Sequence, residues 1–272
     1  MCRALRIRRA LTIMTSEQIQ QLRRDEAMMM AEWSASFVQP CCFNTDGIVD
    51  YERWAALPDG KHIVVLLKET NALRGSLVEF LSHGGSETYY RTWNNVARWA
   101  NMILNETYWK FVPKSALDDM VRNIAVINLK KCSGSAHASA KVVRQAARQD
   151  ANRLKRQIQL YEPDIILLDE PTKGIDPFFC KKMGEWLEEL KNMGKTIVIV
   201  SHDVEFCALF ADKCGLIFDR NIESYTDSHS FFAGNIFFTT DTNRIMSDFF
   251  KDCVTCDEAV ETVSYTHLTL PT

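Results

Sequence analysis

The chain has 272 residues, 46% of them hydrophobic, and a formal net charge of −3. That length supports one large or two small globular domains, and the mild acidity argues against a protein built mainly to coat nucleic acid, though not against a local basic face. Nine cysteines occur with no secretory leader pattern, and no apolar run nears the ~20 residues of a membrane helix. The cysteines therefore read as reduced thiols in a cytoplasmic protein. Cys253-Val-Thr-Cys256 offers two metal ligands where zinc takes four, and reads as incidental.

The first thirteen residues, MCRALRIRRALTI, are basic and lack acids. They read as a mimic of a targeting segment or, the reading preferred here, as a disordered or spurious start (residues 1–14) ahead of Met14. Thr15 followed by Gln18 forms a capping-box pattern and predicts a helix over 16–37. Residues 40–59 read as loop. His62-Ile-Val-Val-Leu-Leu67 is a continuous apolar run, as a buried parallel strand requires. Helical spacing over 92–104 places Trp93, Val96, Trp99, Ala100 and Ile103 on one side. Residues 124–129 give a second buried strand. Residues 137–161 give one long helix that carries Lys141, Arg144, Arg148, Arg153, Lys155 and Arg156 against the single acid Asp150. Such a run is usually a solvated face and less often a phosphate-facing one. Strands follow at 164–168, 196–200 and 215–218, with helices at 178–193 and 204–211. Gly194 stands where a helix C-terminus needs it. Alternating strands and helices predict an α/β fold, a mainly parallel sheet with helices on both faces.

Ile165-Ile-Leu-Leu-Asp169-Glu170 is an apolar strand ending in two acids. Such a strand fixes carboxylates at the sheet edge where ligands bind in open α/β folds. Alone it is a common pattern. Its continuation, Glu170-Pro-Thr-Lys-Gly-Ile-Asp176, and Ser201-His202-Asp203 after the next strand add two further motifs in order. Together they resemble the Walker B strand, D-loop and switch histidine of ABC-transporter ATPases, most closely the energy-coupling-factor type. The resemblance implies that Asp169 holds Mg²⁺, that Glu170 polarises the attacking water, that His202 bridges the γ-phosphate and that Asp176 belongs to the nucleotide site. It implies ATP and Mg²⁺ as cofactors. It also implies a second ATPase subunit and a membrane transport subunit as partners.

No GxxxxGK[ST] phosphate cradle occurs. Gly60-Lys61 is followed by His62 and has Ala55 in the first glycine position; Gly134 has Ser139 in the second. No LSGGQ precedes the acidic strand, where Cys132-Ser-Gly-Ser135 is the nearest approach. Phosphoryl transfer is mostly positioning and charge neutralisation, so this chain alone is expected to hydrolyse little ATP.

Upstream, Val64-Val-Leu-Leu-Lys-Glu-Thr-Asn71, Thr92-Trp-Asn-Asn-Val-Ala-Arg-Trp99 and Ile124-Ala-Val-Ile-Asn-Leu-Lys-Lys131 resemble the uracil-DNA-glycosylase-like superfamily. That resemblance implies nucleic acid as a partner and an alternative site at Glu69, Asn71 and Asn128, with Glu69 or Asn71 near a water-activating position and Asn128 reading a base edge. Alternatively, Trp93 and Trp99 are core residues and Glu69 is a surface acid. Both families place a Pro-Asp-Ile-Ile strand near residue 163. The expected organisation is therefore two partial domains, 15–162 and 163–250, joined as a chimaera of two genes. A tail follows over 251–272, and Val263–Thr272 reads like a sequencing adapter.

Overall fold

The computed structural model describes residues 14–39, 42–73, 75–83, 90–106, 113–134, 139–218, 221–235, 237–250 and 252–268. The expected spurious start over residues 1–13, the predicted helix start at His137 and the tail end at 269–272 lie outside the described residues.

Helix α1 (Ser16–Ala35) opens on the expected capping box. Thr15 Oγ1 accepts the Gln18 N–H and Gln18 Oε1 accepts the Thr15 N–H. Its buried side is Ile19, Glu26, Met29, Met30 and Trp33. The stretch read as loop contains strand β1 (Gly47–Ile48) and helix α2 (Tyr51–Ala55), which Asp50 caps through the Glu52 and Arg53 N–H groups. Elements of two and five residues are too short to leave a period in the sequence.

Strands β2 (Ile63–Leu67), β3 (Ile124–Asn128), β4 (Ile165–Asp169) and β5 (Thr196–Val200) join β1 in one sheet of order β1-β3-β2-β4-β5. β2 is parallel to both β3 and β4, and β1 is antiparallel to β3. The α/β class and the mainly parallel sheet are as the sequence predicts. Helices α3 (Leu77–Ser82) and α4 (Arg91–Asn105) press Leu77, Leu81, Trp93, Val96 and Ala100 against Ile63, Val65, Ile124, Val126, Ile165 and Leu167. Trp93 is thus core, and Trp99 packs half-buried against the same cluster. Helix α5 (Lys114–Met120) and a 3₁₀ turn (Val121–Asn123) close a smaller cluster of Ala97, Leu117 and Val121. Each fully buried aliphatic side chain contributes about 1.5–3 kcal/mol.

The long helix predicted to end at Tyr161 is two helices, α6 (Ala140–Gln149) and α7 (Ala151–Tyr161). The break is at Asp150, whose backbone leaves helical geometry (φ −104°, ψ 13°) and whose side chain is buried against Arg153 at 2.7 Å.

The chain folds as two compact units. One comprises Met1–Pro171 with Leu190–Ile199, the other Thr172–Glu189 with Val200–Thr272. Residues 163–171, expected to open the second segment, are in the first unit because β4 is hydrogen-bonded to β2. The second unit takes most of α8 (Pro177–Asn192), then α9 (Val204–Phe210), α10 (Ser228–Ala233), α11 (Asp241–Met246) and α12 (Cys256–Leu268). The strand predicted at 215–218 is β6 (Lys213–Phe218), which pairs antiparallel with β7 (Asn221–Asp227) in a separate two-stranded sheet. The short connection between the two strands favours a hairpin over a crossover, which needs a dozen or more residues. Gly184 on α8 faces the Phe210 ring, and a Cβ there would overlap it. Residues 263–268, within the stretch that reads like a sequencing adapter, form the last turns of α12.

Inside the first unit lies a polar cluster that the sequence did not announce. Lys131 is fully buried. Its ammonium contacts both Asp46 carboxylate oxygens at 2.7 Å and Gln157 Oε1 at 3.0 Å, and sits 4.5 Å from the Trp33 ring centroid. Burial pulls the Lys131 pKa down, and Asp46 opposes that pull. Removing one partner of such a pair strands a buried charge, at a cost of about 3–5 kcal/mol. Asp46→Ala should therefore lose about that much stability in urea denaturation. Asp46→Ala combined with Lys131→Met should lose less than the sum of the two single changes.

Candidate functional site

Because β2, β3 and β4 run parallel, their carboxyl ends share one sheet edge, the place where ligands bind in open α/β folds. β4 delivers Asp169 there and Glu170 follows, both half-buried. Glu170 has φ +48°, the left-handed region that costs a non-glycine residue about 1 kcal/mol or more. Asp169 lies one residue beyond the Leu66–Leu168 pair, and Asn128 pairs with Leu67. Two strand spacings therefore separate the Asn128 and Asp169 backbones, about 10 Å.

Glu69 and Asn71 extend from the end of β2. Asn71 bridges Gly134 in parallel, and the Gly134 N–H donates to the Thr70 carbonyl at 2.8 Å. Glu69 is not a surface acid: its side chain is 5% exposed and forms an ion pair with Lys130. The Lys130 ammonium also reaches the Cys132 and Ser133 carbonyls at 3.1 and 3.2 Å. Gly134 leaves room for this pair, since a Cβ there would overlap the Glu69 carboxylate. Asn128 is buried. Its backbone N–H and Nδ2 both donate to Asp46 Oδ2, at 2.7 and 3.2 Å, and its Oδ1 has no hydrogen-bond partner. Asn44, which sequence reasoning missed, ties the loop before β1 to this edge. Its Nδ2 donates to Thr70 Oγ1 and Ser133 Oγ at 2.7 Å each, and its Oδ1 accepts the Gly75 N–H at 2.9 Å. No motif marks it, because its partners are 26 and 89 residues away.

Asp176 and His202 belong to the second unit, whereas Asp169 and Glu170 belong to the first. Asp176 caps α8: its Oδ1 accepts the Phe179 N–H at 3.0 Å, with Pro177 as the first helical residue. Asp203 likewise caps α9 through the Phe206 N–H at 3.0 Å. Burial, and then the Asp203 carboxylate, push the Cys180 thiol above its ordinary value. His202 is exposed on the short link between β5 and α9. Among the described residues, no group of three or more His, Cys, Asp and Glu side chains is arranged to hold a metal ion. Asp169 is a hard oxygen donor of the kind Mg²⁺ takes singly or in pairs, filling its remaining positions with water and phosphate. No helix among the described residues is long and apolar enough to cross a membrane.

No family model matches the chain. Over 102 residues, 38% of this chain and 18% of the relative, it is 38% identical to a putative ABC transporter ATP-binding protein of Bacillus thuringiensis subsp. konkukian. Over 88 residues, 32% of this chain and 30% of the relative, it is 36% identical to the phosphate import ATP-binding protein PstB of Bacillus cereus. The chain thus spans less than a third of the length of these curated relatives. A solved structure of cbiO1 from Clostridium perfringens, part of the ABC transporter complex cbiONQ, matches 38% of this chain and 39% of its own at 24% identity, with a TM-score of 0.30. Over that partial region the chain is related in sequence to ABC-transporter ATP-binding proteins.

Proposed function

We propose that the segment from β4 onward is the acid-bearing part of an ABC-type ATPase subunit and hydrolyses no ATP by itself. The observation that carries this reading is the Asp169–Glu170 pair at the carboxyl end of a buried parallel strand, within a chain similar to named ATP-binding proteins. In this reading Asp169 holds Mg²⁺, which would neutralise phosphate charge. Glu170 would be the group to take a proton from an attacking water once a complete site held the nucleotide. By the same family resemblance His202 would take the switch-histidine role and Asp176 the D-loop role; in this chain both lie in the second compact unit, where Asp176 caps α8. A second ATPase subunit and a membrane subunit would complete a transporter, on the cytoplasmic side.

The cradle that grips the phosphates is not supplied by any glycine motif in the sequence. Mg-dependent ATPase assays on the full chain should stay at background, unchanged in Glu170→Gln. Turnover at ordinary ABC rates that Glu170→Gln abolishes would overturn the predicted inactivity.

A second reading, of the first unit as a nucleic-acid-binding part, rests on one specific observation. Lys141, Arg144 and Arg148 recur at i, i+3 and i+7 along α6, a spacing that returns to one side, and Lys141, Arg148 and, on α7, Lys155 are exposed. Arg153 and Arg156 pair with Asp150 and Glu32 at 2.7 and 2.9 Å. Duplex DNA affinity should then fall with salt, and each of Lys141→Glu and Lys155→Glu should flatten the log–log slope by about one. No DNA binding at low salt excludes this reading. If nucleotide binding is also absent, the reading of a non-functional chimaeric product remains.

A further inference from the structure

The buried side of α1 carries one residue that its apolar spacing does not explain. Glu26 stands in a row with Met29, Met30 and Trp33, and is 5% exposed. Its carboxyl group engages three other elements. Tyr161 Oη of α7 donates to Oε1 at 2.7 Å, Tyr51 Oη of α2 donates to Oε2, and the Ile48 N–H of β1 donates to the same group. Gly47 makes the space, since a Cβ there would overlap Oε1.

The charges around it do not balance when Glu26 is ionised. Gln157 Nε2 links Tyr161 Oη and Asp46 Oδ1, at 2.9 Å each. Beyond it, the Lys131 ammonium is already matched by both Asp46 oxygens. Asp150, at the α6–α7 junction, also acts on Lys131 but is paired with Arg153. On α1 itself, Arg23 lies over the Tyr51 ring at 4.8 Å and faces Glu52 of α2 at 3.8 Å, with more than half of its side chain exposed. With Lys131 matched by Asp46, and Asp150 by the part-exposed Arg153, an ionised Glu26 has no buried counter-charge of its own.

We propose that Glu26 is a proton-controlled latch that locks α1 onto α2, β1 and α7 when protonated and loosens α1 when ionised. Burial is the largest influence on its pKa; the Tyr51, Tyr161 and Ile48 hydrogen bonds work against it and the Asp46 charge adds to it, with the result pushed up to about 7. Burial first, and then Glu26, raise Tyr51 and Tyr161 as well, so both phenols stay protonated; Tyr161, which accepts the Gln157 N–H, donates to Oε1, and a protonated Glu26 can donate its own proton to Tyr51 Oη. With α1 open, Glu26 returns to the ordinary 4.5. A raised carboxyl pKa gives stability that is whole below the open-state value and is lost as pH rises towards the closed-state value. The opening constant of α1 should thus climb by up to about tenfold per pH unit between about 4.5 and 7, then level off, for a total near 300-fold.

Native-state hydrogen exchange of the α1 amides in the full chain, corrected for intrinsic rates across pH 5–8, reads this directly. The wild type should show that rise and plateau, and Glu26→Gln should be flat. A ¹³C titration of the Glu26 carboxyl group in the wild type, which needs no variant to fold, should show a midpoint near 7. A flat wild-type exchange profile, a slope that persists in Glu26→Gln, or a midpoint near 4.5 would each overturn the proposal.

Discussion

The register of β4 against β2 determines which residues of the acidic strand are buried and which reach the edge. Ile63 faces Ile165 and Leu66 faces Leu168, so four apolar residues are enclosed and Asp169 emerges. The register is set at the strand's start by Asp164. Its Oδ2 accepts the Gly60 and His62 N–H groups at 3.0 and 3.1 Å and meets His62 Nδ1 at 3.0 Å. Its carbonyl accepts the Thr196 N–H at 2.9 Å, which joins β5 on the other side. Burial works against the charge, but the His62 and Gly60 hydrogen bonds hold the Asp164 carboxyl below its usual range. A slip of one residue would reverse every side chain of β4 between the two faces.

A second constraint is the polar interior of the same unit. Asp46, Lys131, Gln157, Tyr161 and Glu26 connect α1, the loop before β1, the end of β3 and α7 through side chains alone. Such networks are poor sources of net stability and strong sources of uniqueness once every member is satisfied. Here they hold Asn128 at the sheet edge through Asp46. Fold and candidate site are therefore linked: the buried pair that closes the interior also positions an edge residue.

Strong local signals were legible. The Thr15 capping box, the apolar strand runs and Gly194 at φ +85° all fall where the sequence puts them. What escaped depends on distant partners. Glu26 could have been noticed as an acid in the row of Met29, Met30 and Trp33, and Lys131 as a cation just past a buried strand. Neither carries any mark of the other, 105 residues along in sequence. Asp150 reads as one acid on a basic helix and acts as its breakpoint. β6 was legible as a strand, but its partner was not, because Asn221–Asp227 is largely polar and shows no clean alternation. At the site, the Asp169–Glu170 pair was readable from pattern. That Asp176 caps a helix, and that Asp176 and His202 lie in a different compact unit from Asp169, were not.

The functional reading depends on where the acidic strand is held. Sequence similarity relates part of the chain to ATP-binding proteins, while hydrogen bonding makes β4 an inner strand of the first unit's sheet. Backbone amide exchange at Ile165, Ile166, Leu167 and Leu168 tests that placement most directly. These amides should be as protected as those of β2 and β3 and should open together with them as denaturant is added. If they instead exchange early, in step with residues 200–268, β4 does not belong to the first sheet.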